Sequence, residues 1–262
     1  MRVATWNMKQ AVAPKQKLPL LWEWLEREVA PDIAVLTEAK VPKDGAPPGW
    51  ASVFVDGGFG PRRRWGTVVA ARGVELRPLS EVSVRGRTSP LSFRWPAGVT
   101  VVDAFRDGQR WATVVGLYGL TVNLRGESCG HGQFSVPTML NELAPLFESD
   151  RGGRVLVAGD LNMWPRDAAV HIESTGLIDL VEATASSRSP LERCSGCLKG
   201  AACGHLWTHR NGNSPNAAVQ QIDYILATDE LARELRSVHG GVASYPDAWD
   251  VSDHAPVVAD FA

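Results

Sequence analysis

Residues 154–162 read RVLVAGDLN. An unbroken apolar run of this length, held between polar residues, is the pattern of a strand buried on both faces, the interior strand of an α/β protein. Gly159 is expected to break it. Asp160 and Asn162 then stand at its carboxyl end, where open α/β sheets gather their ligands.

The same arrangement recurs on either side. Residues 2–6, RVATW, alternate as a short strand does and run into Asn7. LPLLWEWLEREV (18–29) sets Leu18, Leu21, Trp22 and Leu25 on one helical face, and Pro31 closes that helix. DIAVLTEAK (32–40) is a second buried-type strand that ends at a carboxylate, Glu38. Val68 to Ala70 begins another strand. VTVVDAF and RWATVVGLYG are strands joined through Asp107-Gly108, a strong hairpin signal. SVPTMLNELAPLFES (135–149) reads as one helix capped by Ser135, and a further helix is expected over about 167–175. Residues 185–220 are polar and loop-like. QQIDYILA (220–227) is a strand, TDELARELRS (228–237) a short capped helix, and HAPVVADF (254–261) a closing strand.

The 262 residues are 44% hydrophobic and 21% charged, so a large core can form and a disordered or fibrous chain is excluded. A formal charge of −2 gives no global attraction to polyanions; an anionic substrate must be held locally. The start, MRVATWNM, lacks the apolar core of a secretory leader, and no stretch approaches the length of a membrane span. A soluble, cytoplasmic, monomeric single domain over 1–262 is the expectation.

Hydrolysis of a phosphate ester needs a cation on the phosphoryl oxygens, a positioned water and a proton acceptor. Magnesium or manganese would take hard oxygen ligands. Such groups stand where apolar strands end or are interrupted: Asn7, Glu38, Asp160, Asn162, Asp223, Asp253 and His254. Singly each has an ordinary explanation, such as a turn cap or a solvated charge. Asp223 resists it, because a carboxylate inside an apolar strand must find a partner or a cavity.

Taken in order, TWN, TEAK, GDLN, QIDYIL and SDHAPV resemble the signature of the endonuclease/exonuclease/phosphatase superfamily, which includes exonuclease III-like abasic endonucleases, DNase I, inositol polyphosphate phosphatases and bacterial sphingomyelinases. The resemblance spans nearly the whole chain. It implies an α/β four-layered sandwich, with two mixed β-sheets packed face to face and helices outside. It also implies a Mg2+ or Mn2+ ion at Asn7, Glu38 and Asp253, Glu38 being the principal ligand. Asp160 would orient or deprotonate the attacking water, Asn162 would hydrogen-bond the phosphate, and His254, paired with Asp223, would meet the charge that builds on the phosphoryl oxygens. Many relatives carry a second histidine on a central strand. GLYGLTVNLRG (116–126) has none, which leaves Tyr118 or Asn123 as substitutes, and His131 in the following loop as another. Gln221 stands where many relatives have a basic residue.

Other features stay open. Cys194, Cys197, Cys203 and His205 are spaced C-x2-C-x5-C-x-H and offer a structural Zn2+ four ligands; free thiols and a redox pair are the competing readings. Arg62, Arg63 and Arg64 precede Trp65, and Arg64 is a candidate phosphate contact beside the default of a solvated face. Of the ten tryptophans, Trp164 lies close enough to Asn162 to stack on a base, with core packing as the ordinary role for most of the others. The reading is a metal-dependent phosphoesterase with nucleic acid as first substrate. The alternatives are a small phosphorylated molecule or lipid head group, and a catalytically silent binding member of the family.

Overall fold

The computed structural model describes residues 1–9, 18–40, 46–55, 66–189, 203–212 and 217–262. Among these, the chain forms strands β1 (Arg2–Asn7), β2 (Ile33–Ala39), β3 (Ala51–Phe54), β4 (Gly66–Ala71), β5 (Glu75–Pro78), β6 (Glu81–Val84), β7 (Arg87–Pro90), β8 (Val99–Arg106), β9 (Gln109–Leu117), β10 (Val155–Asp160), β11 (Ile178–Asp179), β12 (His209–Arg210), β13 (Val219–Gln220), β14 (Asp223–Ala227), β15 (Leu235–Gly240) and β16 (Val257–Phe261). Two six-stranded sheets result, ordered β15-β16-β1-β2-β4-β3 and β11-β14-β10-β9-β8-β5. Both are mixed: β1 runs parallel to β2 and β10 to β9, and their other neighbours are antiparallel.

Period-two alternation explains why the sheets stack. Val3 of β1, Leu156 and Ala158 of β10, and Ile225 and Ala227 of β14 fill one core between the sheets. Their neighbours in sequence face outward. Ala4 and Trp6 meet Leu21, Trp22 and Leu25 on one side, while Val155, Val157, Tyr224 and Leu226 meet Met139, Leu140, Ala168 and Ile172 on the other. Helix, sheet, sheet and helix are thus the four layers the resemblance implies. The sheets approach so closely at Gly116 that a Cβ there would lie 2.6 Å from Thr67 Cγ2.

Three local expectations are corrected. Gly159 does not break β10; it lies inside the strand at φ +150°, where a Cβ would sit 1.8 Å from the Leu117 carbonyl oxygen. The helix expected over 135–149 divides into Ser135–Glu142 and Ala144–Phe147, because Pro145 cannot continue the hydrogen-bond ladder. Ser135 is that helix's first residue, and its hydroxyl donates to the Leu120 carbonyl instead of capping. The helix read over 228–237 stops at Ala232, and Leu235 onward joins β15, which hydrogen-bonds the closing strand. No helix among the described residues is long and apolar enough to cross a membrane.

Candidate active site

The alternation that builds the inter-sheet core also delivers the polar residues. Asp160 and Asp223 are direct cross-strand partners at the ends of β10 and β14. Asn7 ends β1 beside them, and its Nδ2 donates to Asp160 Oδ2 at 2.9 Å and reaches Glu38 Oε1 at 3.4 Å. Glu38 lies in a bulge of β2 with φ +45°, so the strand's last carboxylate leaves the pleat and turns toward the other sheet. Tyr118 crosses from the end of β9, its hydroxyl donating to Glu38 Oε1 at 2.8 Å. Asn162, at φ +49°, closes a turn in which its own N–H donates to Asp160 Oδ1 at 2.7 Å. Its Nδ2 donates to the Gly119 carbonyl (2.9 Å) and to Asp160 Oδ2 (3.2 Å). The ordinary explanation of GDLN as a turn and the functional one therefore hold together.

His254 completes the cluster. Its Nδ1 is 2.9 Å from Asp223 Oδ2, and its Nε2 faces Asp160 Oδ2 at 3.9 Å. Burial opposes a charge on this ring, but the field and hydrogen bond of Asp223 outweigh it, and the imidazole keeps its proton to about pH 9. Burial, then the nearby Asp223 charge, pushes the Asp160 carboxyl up to about 8. Burial and two adjacent carboxylates likewise hold the Tyr118 phenol well above its ordinary value. Asp253 moves the other way: burial raises it, yet His254 and Lys9 together hold it below the usual range.

Ligand atoms of Asp160, Asp223 and His254 lie within 4.8 Å of one another, all buried. Asp223 Oδ1 is buried without a hydrogen-bond partner. Carboxylate oxygens crowded in a buried site, where burial opposes their charge, are a donor set suited to a hard divalent cation.

Of the other expected residues, Asn123 is committed to its own loop, closing the turn to Glu127 through three hydrogen bonds. His131 borders a cleft of about 420 Å³ that also takes in Asn162, Trp164 and Gln220. Trp164 is partly exposed there, with Arg166 over its ring at 5.0 Å. Gln221 is buried and accepts the Leu206 N–H, a structural task that a basic side chain could not perform. Arg64, Cys194 and Cys197 lie outside the described residues. Cys203 and His205 are described, both buried, with Sγ 3.4 Å from Nδ1.

One residue that sequence reasoning missed is His209. Its ring lies 4.5 Å from that of His254, and the two residues form an antiparallel bridge. Trp164 Nε1 donates to Gln220 Oε1 at 2.6 Å, which turns the Gln220 amide nitrogen onto His209 Nδ1 at 2.9 Å. Burial and the His254 charge lower its pKa to about 4, so it is neutral and carries its proton on Nε2. A lone histidine in a polar loop gave no pattern to read.

A buried carboxylate of raised basicity, a charged imidazole facing it and hard-ligand oxygens beside them define a metal-dependent hydrolase of phosphate esters. The profile of the endonuclease/exonuclease/phosphatase family matches residues 4–254, and the chain belongs to that family. No curated protein sequence matches it. Among solved structures, a 3′ phosphatase, NExo, from Neisseria bound to a product DNA hairpin is 18% identical, with a TM-score of 0.64 over 100% of this chain and 99% of that one. An AP endonuclease from Archaeoglobus fulgidus is 19% identical at TM-score 0.64, over 100% and 99%. The catalytic domain of Xenopus laevis APE2 is 17% identical at TM-score 0.66, over 100% and 91%. At these identities the likeness carries the fold.

Proposed function

We propose that the chain hydrolyses phosphodiester bonds in nucleic acid, using Asp160 and His254 as its proton-handling pair. The observation that carries this reading is the opposition of Asp160 Oδ2 to His254 Nε2 at 3.9 Å, each group held by its own partner, Asn7 and Asp223.

Asp160 is the acceptor. Burial and the Asp223 charge make the ionised Asp160 carboxylate a stronger base than an ordinary one, so the rate should rise with pH as this carboxyl ionises. As the water oxygen bonds to phosphorus, its proton passes to Asp160 and the ester P–O bond breaks in line, the departing alkoxide taking a proton from solvent. His254, fixed at Nδ1 by Asp223, presents Nε2–H to a non-bridging oxygen as charge grows on it. Asn7 and the Asn162 N–H hold the Asp160 carboxylate in one orientation. A bound Mg2+ or Mn2+ ion, held by Glu38, would supply neutralisation of the phosphoryl oxygens. Tyr118 orients Glu38 for that task.

The choice of nucleic acid is supported by the cleft next to Asn162, whose volume suits one nucleotide unit and whose lining includes Trp164, Arg166 and Gln220. It is also supported by the DNA bound to the Neisseria phosphatase. The test is a panel of end-labelled oligonucleotides, single-stranded, duplex, abasic and 3′-phosphorylated, set against inositol phosphates and sphingomyelin, with magnesium or manganese. Cleavage is expected within the oligonucleotide set. Turnover confined to the small or lipid esters would overturn the substrate reading.

A further inference from the structure

Lys9 aims its ammonium directly at an expected metal ligand. Its Nζ lies 2.5 Å from Asp253 Oδ2, and its backbone adopts the left-handed conformation, φ +49°. A non-glycine residue stays there only when its surroundings enforce it. Two contacts do so: the ammonium on Asp253, and the Lys9 N–H donating to Asn7 Oδ1 at 2.9 Å.

Those contacts engage two of the three residues expected at the metal. A carboxamide ligates a hard cation through its oxygen. The Asn7 oxygen is turned to the Lys9 N–H, and its NH2 is turned to Glu38 and Asp160. The flipped amide would set its oxygen against two carboxylates and its NH2 against an N–H, so the network allows only the first orientation. Asp253 is neutralised by the ammonium, and its main chain is fixed as well, since its carbonyl accepts the Arg210 N–H at 2.9 Å.

We propose that Lys9 is a resident cation that takes the place of a metal at Asp253, so that the exchangeable ion belongs to Glu38 and not to Asn7 or Asp253. Asn7 is then a positioning residue whose amide protons hold the two carboxylates together. Lys9 is 42% exposed along its side chain and stands at the mouth of the site, where a fixed ammonium supplies positive charge without depending on metal concentration.

The inference rests on the metal-dependent part of the proposed function and not on the choice of substrate. Its test is calorimetric titration of the whole protein with Mn2+ alone, which needs no turnover and is unaffected if the substrate proves not to be nucleic acid. The parent is expected to bind one equivalent. Glu38→Gln should weaken binding by about tenfold or more, whereas Asp253→Asn should stay within about threefold of the parent, using the spread typical of ligand and near-ligand substitutions. Lys9→Asp, which replaces the ammonium by a carboxylate beside Asp253, should add a second binding event. Thermal melts confirm that each isosteric variant is folded. Loss of Mn2+ in Asp253→Asn comparable to that in Glu38→Gln, or a single unchanged event in Lys9→Asp, would overturn it.

Discussion

Replacing Asp223 by Asn tests how His254 keeps its charge. The substitution preserves shape and removes the anion 2.9 Å from Nδ1. His254 retains its proton to about pH 9 against an ordinary 6.5, a preference on the order of 3 kcal/mol for the charged ring. Burial opposes that charge and remains in the variant. Asp160 and Asp253 still favour the charge; with the Asp223 anion gone, the imidazole pKa should fall well below 9 and the charged fraction of the ring at pH 7.5 should drop. A histidine that must stabilise developing negative charge then fails, and kcat should drop by about 10²–10⁴, the range seen when a carboxylate orienting a catalytic imidazole is made neutral. NMR titration of the His254 Cε1–H and the pH dependence of kcat read the two consequences separately. An Asp223→Asn protein whose His254 still titrates near 9, or whose alkaline limb does not move, would refute the reasoning.

In chelator, the metal-free protein should lose stability as pH rises from 6.5 to 9. The raised His254 pKa contributes stability that is complete below 6.5 and disappears as pH passes about 9, and the raised Asp160 pKa acts in the same direction up to about 8. Calorimetric Tm values across that interval check it, and a Tm that climbs would contradict the charge assignment. Tyr118→Phe removes the 2.8 Å donor to Glu38, a charge-assisted bond worth about 1.5–3 kcal/mol, and should lower Tm by several degrees and kcat/KM by roughly tenfold to a hundredfold. Gly159→Ala forces a Cβ to 1.8 Å from the Leu117 carbonyl oxygen at a φ that only glycine tolerates; a loss above about 3 kcal/mol in urea unfolding is expected.

The strands that carry the site were legible because each is short, apolar and stopped by a polar residue, as in RVATWN and RVLVAGD. Burial on both faces leaves such a pattern in composition alone. Asp223 was legible for the complementary reason, a charge where the pattern demands none. Contacts made by side chains from distant loops were not. His209 meets His254 across 45 positions of chain, and Lys9 meets Asp253 across 244, with no periodicity to announce either. Tyr118 and Asn123 were equal candidates in sequence. Only the direction of β9 separates them, sending Tyr118 onto Glu38 and leaving Asn123 to close its own turn. Gly159 read as a breaker, since sequence shows glycine's freedom but not the neighbouring carbonyl that requires it.

Asp160 is the proton acceptor assigned to metal-dependent hydrolysis of a phosphodiester. Initial rates on bis(p-nitrophenyl) phosphate and on a labelled oligonucleotide, in magnesium and in manganese, should be compared for the parent and for Asp160→Asn, which keeps the shape of the side chain. The parent should turn over substrate, turnover should stop on chelation, and Asp160→Asn should be slower by at least about 10³. A parent inert in both metals, or an Asp160→Asn protein working at the parental rate, would contradict that assignment.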